Sequence, residues 1–174
     1  MVNIRHPRLQ EIAERHYQAI VLYLEKHRLK EFRNAIPSIE RWIKANLPGF
    51  DFKKVILASP KELEIIVDLL SRETKVEFPR LESLYDAFSD KNNKLGISAV
   101  KLIADLDISV CPYCNRNFIY NTDKKRPSEI DHFHAKSKYP LLAMSFYNLV
   151  PACKVCNHFK NDAADKKLIN PRIS

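Results

Sequence analysis

Two Cys-x-x-Cys pairs constrain this chain more than any other feature. Cys111-Pro-Tyr-Cys114 and Cys153-Lys-Val-Cys156 contain all four of its cysteines. Two residues between sulfurs let the backbone turn around one ion at Zn–S distances of about 2.3 Å, and two such pairs complete a tetrahedral shell. A closed shell leaves no position for a reacting water. The expected ion is therefore structural Zn2+, held by Cys111, Cys114, Cys153 and Cys156. Disulfides would suit a secreted chain, and redox chemistry would need a thioredoxin-like βαβ pattern; neither context is visible here. No hydrophobic stretch follows Met1-Val-Asn-Ile-Arg-His6, and the longest apolar run is short, Ala19 to Leu24. That argues against a signal peptide or a membrane span and predicts a soluble, cytoplasmic protein.

Ahead of the first pair, residues 1–106 read as helices. Leu9, Ile12, Ala13, His16, Tyr17, Ile20, Val21 and Leu24 recur at i, i+3, i+4 spacing and make one apolar face. A second helix is predicted from about Pro37 to Asn46, burying Ile39, Ile43 and Leu47 and stopped by Pro48-Gly49. A third begins at Ser59-Pro60, with Glu62 completing a capping box, and buries Leu63, Ile66, Val67 and Leu70. Leu81, Leu84, Tyr85 and Phe88 repeat the stripe, Asp90 to Gly96 reads as a loop, and a last helix carries Val100 and Ile103. With 45% apolar residues and only two Gly, the chain can bury a core. Nothing in these helices suggests catalysis: His16 reads as a satisfied core histidine, and Trp42 as core or interface. From Ile108 the texture changes to short β-like runs, Phe118–Tyr120, Glu129–Phe133 and Asn148–Val150, with polar Asn121–Ser128 between the first two.

The net charge of +8 is uneven. Lys/Arg outnumber Asp/Glu by nine to five in residues 1–50 and by twelve to seven in 101–174, but run eight to nine in 51–100. A basic C-terminal third suits a polyanionic partner, although many soluble proteins are this basic without one.

Between and across the pairs lie Glu129-Ile-Asp-His-Phe-His-Ala-Lys-Ser-Lys-Tyr-Pro140 and Asn148-Leu-Val-Pro-Ala-Cys-Lys-Val-Cys-Asn-His-Phe-Lys160. The ordered set of an acidic-His pair, Asn-Leu, Cys-x-x-Cys-Asn-x-x-Lys and two bracketing knuckles resembles the HNH, or ββα-metal, nuclease superfamily. The resemblance implies an α+β chain: a helical region for support and association (1–106), then a zinc-stapled ββα nuclease domain (107–174). It implies His132 as general base, Asp131 and Asn157 as ligands of a catalytic Mg2+ or Mn2+, and Asn148 as a brace of the intervening loop. The residue types suit these roles. Imidazole titrates near neutral pH, and hard oxygen ligands suit magnesium. Lys136, Lys138 and Lys160 are candidate phosphate contacts, with ordinary solvated charge as the alternative.

Asp131 and His132 are adjacent, and adjacent strand residues face opposite sides. Both can serve one site only if the strand ends or bulges there. Strict alternation puts His134 beside His132, as an accessory ligand or a plain loop residue. Ala135 stands where many relatives have proline. His158 and Asn161 compete with Asn157, which directly follows the second knuckle. The pattern Asp-His-Phe-x-x-Lys-Ser-Lys-Tyr-Pro with Leu-Ala-x-Ser-x-Tyr-Asn-Leu-Val-Pro further resembles the HNH partners of Septu and retron anti-phage systems. This implies an ABC/SMC-like ATPase partner, with residues 1–106 docking that partner or another copy of the chain. The chain ends soon after, at Asn170-Pro-Arg-Ile-Ser174, and a C-terminal extension beyond it is an expectation. Against the enzyme stand two alternatives, a zinc-ribbon module that binds nucleic acid without cutting it and an adaptor. The joint presence of Asp131, His132, Asn148 and Asn157 favours the enzyme, since a pure binder has no need of that set.

Overall fold

The computed structural model describes residues 4, 6–70, 78–90, 96–119 and 128–160. Seven helices come first: α1 (Leu9–Lys26), α2 (Lys30–Arg33), α3 (Ala35–Asn46), α4 (Phe52–Ile56), α5 (Pro60–Leu70), α6 (Pro79–Ser89) and α7 (Ala99–Asp105). The apolar stripes face inward as their spacing requires: Ile12, Ala13, His16, Ile20 and Leu24 are buried on α1, and Leu63 and Ile66 on α5. The α5 capping box forms. Ser59 donates its backbone N–H to Glu62 Oε2 at 2.8 Å, and Glu62 N donates to Ser59 Oγ at 3.4 Å. Two short helices, α2 and α4, have no counterpart in the sequence reading. Four or five residues are too few to show a period, and α4 is marked mainly by its Asp51 cap, whose side chain accepts from Lys54 N. Asn121–Lys125 and Lys91–Leu95, read as parts of loops, lie outside the described residues, as does Tyr120.

The C-terminal part is a hairpin and a helix. Strand β1 (Ser128–His132) pairs antiparallel with β2 (Leu149–Cys153), and α8 (Lys154–Lys160) follows directly. The register matches Ser128 with Cys153, Ile130 with Pro151 and His132 with Leu149. Pro151 brings no N–H to this ladder; the carbonyl of its partner Ile130 accepts from the Tyr85 hydroxyl of α6 at 3.1 Å. Phe118, read as the start of a strand, makes a single antiparallel bridge with Val110. The chain is thus α+β, a helical region followed by a ββα unit carrying four clustered cysteines.

The hydrophobic core crosses the 106/107 boundary. Ile130, Leu141, Leu142, Met144, Phe146 and Leu149 pack in one cluster with the buried residues of α1 and α3 to α7. Polar ties reinforce the seam. His16 Nε2 lies 2.9 Å from the Met144 carbonyl, and Ser145 Oγ donates to the Val55 carbonyl at 2.8 Å. His16 is therefore the satisfied core histidine its position predicts, and Trp42 packs edge-on against Phe78, with centroids 5.2 Å apart. A two-stranded hairpin is marginal alone in water; here the helices supply the surface it packs on. No helix among the described residues is long and apolar enough to cross a membrane.

Candidate functional site

The four cysteines converge. Their Sγ atoms all lie within 4.8 Å of one another, and none is in a disulfide. Local turns bring them there. Cys111 N donates to the Asn117 carbonyl and Asn115 N to the Cys111 carbonyl, both at 2.8 Å, with Asn115 in the left-handed region at φ 50°. Asn117 Nδ2 and Cys156 N approach Cys153 Sγ at 3.2 and 3.4 Å. The Asn117 backbone hydrogen bond, opposed by some desolvation, holds the Cys114 thiol down to about 7, whereas burial pushes the Cys111 and Cys156 thiols up. Donors aimed at sulfur and four thiols in one cluster have the chemistry of a closed structural zinc site.

Along β1 an open cleft of about 610 Å³ is lined by Glu129 to His132 of β1, Lys154, Asn157 and His158 of α8, Tyr85 of α6, and the turn Ala135–Ser137. Strand alternation sends Glu129 and Asp131 to one face of β1 and His132 to the other. Yet all three reach the same cleft. β1 ends at His132 and, among the described residues, has β2 on one edge only, so side chains from both faces reach a cleft along the other edge. No bulge is needed. The structure thus brings Asp131, His132, Asn157 and Lys136 together.

His132 is held by its surroundings. Its Nε2 is 2.9 Å from the Ala143 carbonyl, and its ring lies 4.3 Å from that of Tyr85. A carbonyl only accepts, so Nε2 carries the proton and Nδ1 keeps the lone pair. Burial pushes the pKa of this imidazole down to about 4, so the ring is neutral near pH 7. Desolvation acts oppositely on Asp131, raising its pKa, while the Lys160 ammonium and the Tyr113 hydroxyl pull it back. Tyr113 donates to Asp131 Oδ2 at 2.6 Å, and Lys160 Nζ lies 3.0 Å from the same oxygen and 3.2 Å from Oδ1. A carboxylate has about four acceptor sites, so these contacts leave it room for a further partner.

Lys160 does not sit where a phosphate contact would. It is buried beneath β1, and its ammonium also donates to the carbonyls of His132 at 2.7 Å and Phe133 at 3.0 Å. It bolts α8 to the end of the strand. Lys136 does line the cleft, 4.4 Å over the Tyr85 ring and 3.7 Å from Asp86 Oδ1, whereas Lys138 lies over Tyr139, outside the lining. His134 also turns away: its Nε2 is 3.6 Å from Glu64 Oε1 of α5, and its ring meets Phe133 and Tyr139 edge-on. His158 shares the lining with Asn157, and Asn161 lies outside the described residues.

Asn148 is fully buried and ties the ends of the loop between the strands. Its Oδ1 accepts from His134 N at 2.7 Å, and its Nδ2 donates to the carbonyls of His134 and Leu142 at 3.0 Å each. Asn148→Ala removes the side-chain partner of the His134 backbone N–H and carbonyl, while the Leu142 carbonyl still accepts from Ser145 N at 3.1 Å. At about 1–3 kcal/mol for each such group and partial relaxation, a loss of about 3 kcal/mol is expected. That corresponds to a fall of about 6 to 12 °C in melting midpoint for a chain of this size. Thermal unfolding checks it, and a shift below about 2 °C would remove Asn148 as a brace.

Four residues of the site went unnoticed in the sequence, Lys154 among them, which sits on the cleft lining inside the second knuckle. Glu129 could have been found, because i and i+2 on a strand share a face with Asp131. Tyr113, inside the first knuckle, and Tyr85, from a helix far away in sequence, carry no local signal.

A hairpin whose second strand runs into a helix, stapled by four cysteines, with an Asp-His pair at the end of its first strand, is a ββα-metal arrangement. Residues 111–163 match the family model described as HNH endonuclease, and this segment is an HNH endonuclease domain. The chain is also similar to the Septu protein PtuB of Bacillus thuringiensis, with 31% identity over 85 residues. That match covers 47% of this chain but only 32% of the relative, so the chain spans about a third of the curated relative's length. No solved structure matches it.

Proposed function

We propose that this protein is a metal-dependent endonuclease that hydrolyses phosphodiester bonds, with DNA the first substrate to test and RNA the second. The supporting observation is the meeting of Asp131, His132 and Asn157 on one open cleft, with His132 neutral and its Nδ1 unprotonated. In this reading His132 Nδ1 takes a proton from the water that attacks phosphorus, as a positioned general base does. The Ala143 carbonyl holds the ring in the required tautomer, and the Tyr85 ring packs against it. Asp131 and Asn157 offer a carboxylate and an amide oxygen, a hard donor pair that suits Mg2+ or Mn2+. Such an ion, when bound, supplies charge stabilisation at the phosphate and the leaving oxygen. Lys136 and Lys154, on the cleft lining, would neutralise neighbouring phosphates. Lys138 would at most meet a strand beyond the cleft. The cysteine cluster would hold Zn2+ with a purely structural role.

The similarity to a Septu protein supports a place in anti-phage defence, with the helical region docking an ABC/SMC-like ATPase or a second copy of the chain. The test is cleavage of plasmid DNA and of RNA with magnesium or manganese, with and without a candidate ATPase of that class. Metal-dependent cutting that a chelator abolishes, stronger with the ATPase present, is expected. Binding of nucleic acid without cutting under any of these conditions would favour the zinc-ribbon binding module instead. An ATPase that neither binds the full chain nor changes its cutting would remove the partner from the proposal.

A further inference from the structure

We propose that Glu129 is a positioning residue of the cleft, whose carboxylate holds the Asn157 side chain so that its amide oxygen faces a divalent cation. This rests on the reading of Asn157 as a metal ligand. The two side chains meet directly, with Asn157 Nδ2 donating to Glu129 Oε2 at 2.7 Å, and both line the cleft. The carboxylate oxygen accepts, so the amide must turn its NH2 end toward Glu129. An amide has two ends and only its oxygen can ligate a cation; with the nitrogen spent on Glu129, the oxygen is the end left for the cleft. Released from Glu129, the amide could rotate and present N–H groups to the cation, which repel it.

The backbone makes this contact reproducible. Glu129 pairs across the hairpin with Ala152, one rung from Cys153, where β2 ends and α8 begins. Asn157 lies within the first turn of that helix. The knuckle that gathers the cysteines thereby also sets the distance between Glu129 and Asn157. Glu129 shares its strand face with Asp131, so the amide is held beside the carboxylate it would act with. Partners that orient a metal ligand commonly account for about 10- to 100-fold in metal affinity.

The test is calorimetric titration of Mn2+ into zinc-replete full-length protein. Glu129→Ala is expected to weaken Mn2+ binding about 10- to 100-fold. Glu129→Gln, whose side-chain oxygen can still accept from Asn157, should lose less. On an Asn157→Ala background, Glu129→Ala should add nothing, because Glu129 acts through the amide. Zinc content and melting midpoint control for folding, and Glu129→Gln carries the comparison if Glu129→Ala fails to fold. Unchanged Mn2+ affinity in Glu129→Ala overturns the inference, as does a wild-type protein that binds no Mn2+ beyond its zinc site. An equal further loss on the Asn157→Ala background overturns it too, by making Glu129 a ligand in its own right. Cleavage is scored separately: Mn2+ binding that obeys the cycle in a protein that cuts nothing leaves this inference standing and removes the nuclease reading.

Discussion

His132→Ala should lower nucleic-acid cleavage about 100- to 10,000-fold, the usual contribution of a positioned general base. The reasoning starts from geometry. Nε2 is committed to the Ala143 carbonyl, so Nδ1 is the nitrogen able to take a proton, and burial keeps the ring neutral. Alanine removes that acceptor and replaces it with nothing. It also leaves the Ala143 carbonyl without its partner, at a cost of about 1–3 kcal/mol. The comparison must therefore be made below the melting midpoint of the variant, with zinc content matched to wild type. His134→Ala is the control. His134 is as buried as His132, at 7% against 9% exposure, but lies outside the cleft lining and faces Glu64. It should lose stability and keep cleavage within a few-fold of wild type. If His134→Ala is inactive while His132→Ala cuts normally, the base is misassigned.

Removing the zinc, or the Cys111→Ser substitution, should unfold the C-terminal part of the chain. Structural zinc in small domains contributes about 10–16 kcal/mol of apparent binding free energy, all of it coupled to folding. Ile130 and Leu149 anchor the far end of the hairpin in the main core, but little apolar packing holds the cysteine end. The cluster around Cys111, Ile119, Ala152 and Cys153 is small and separate from the main core. Cys111 is fully buried, and Cys153 ends β2 where α8 begins, so losing the ion frees the first knuckle and the junction of β2 with α8. A strong chelator should abolish the cooperative melt of the β1–β2–α8 unit while helical circular dichroism from α1 to α7 falls less. Metal analysis should find one zinc per chain. Folded protein carrying less than about half an equivalent, or a disulfide among these cysteines, contradicts the assignment.

Much of this molecule was legible from order and spacing alone. The Cys-x-x-Cys pairs announce one metal cluster because two residues between thiols is a local geometric rule. The stripes of α1, α3, α5, α6 and α7 declare their buried faces because a helix repeats every 3.6 residues, and Ser59-Pro60 with Glu62 marks a helix start through contacts three residues apart. The acidic-His pair and the asparagines pointed to one site because their order along the chain is itself the pattern. The rest depended on contacts between residues far apart in sequence, which no local period encodes. Whether adjacent Asp131 and His132 share a cleft was decided by β1 being an edge strand that ends there. Lys160 looked like a surface cation, but packing of α8 across the hairpin carries it under β1 to Asp131. Tyr85 looked like one more residue of an apolar stripe, yet the shared core sets it against His132 and gives its hydroxyl to Ile130. Spacing along the chain determined which residues are available; the packing of helices on hairpin decided which of them meet, because only burial against distant partners sets a side chain's direction, its charge state and the tautomer it keeps.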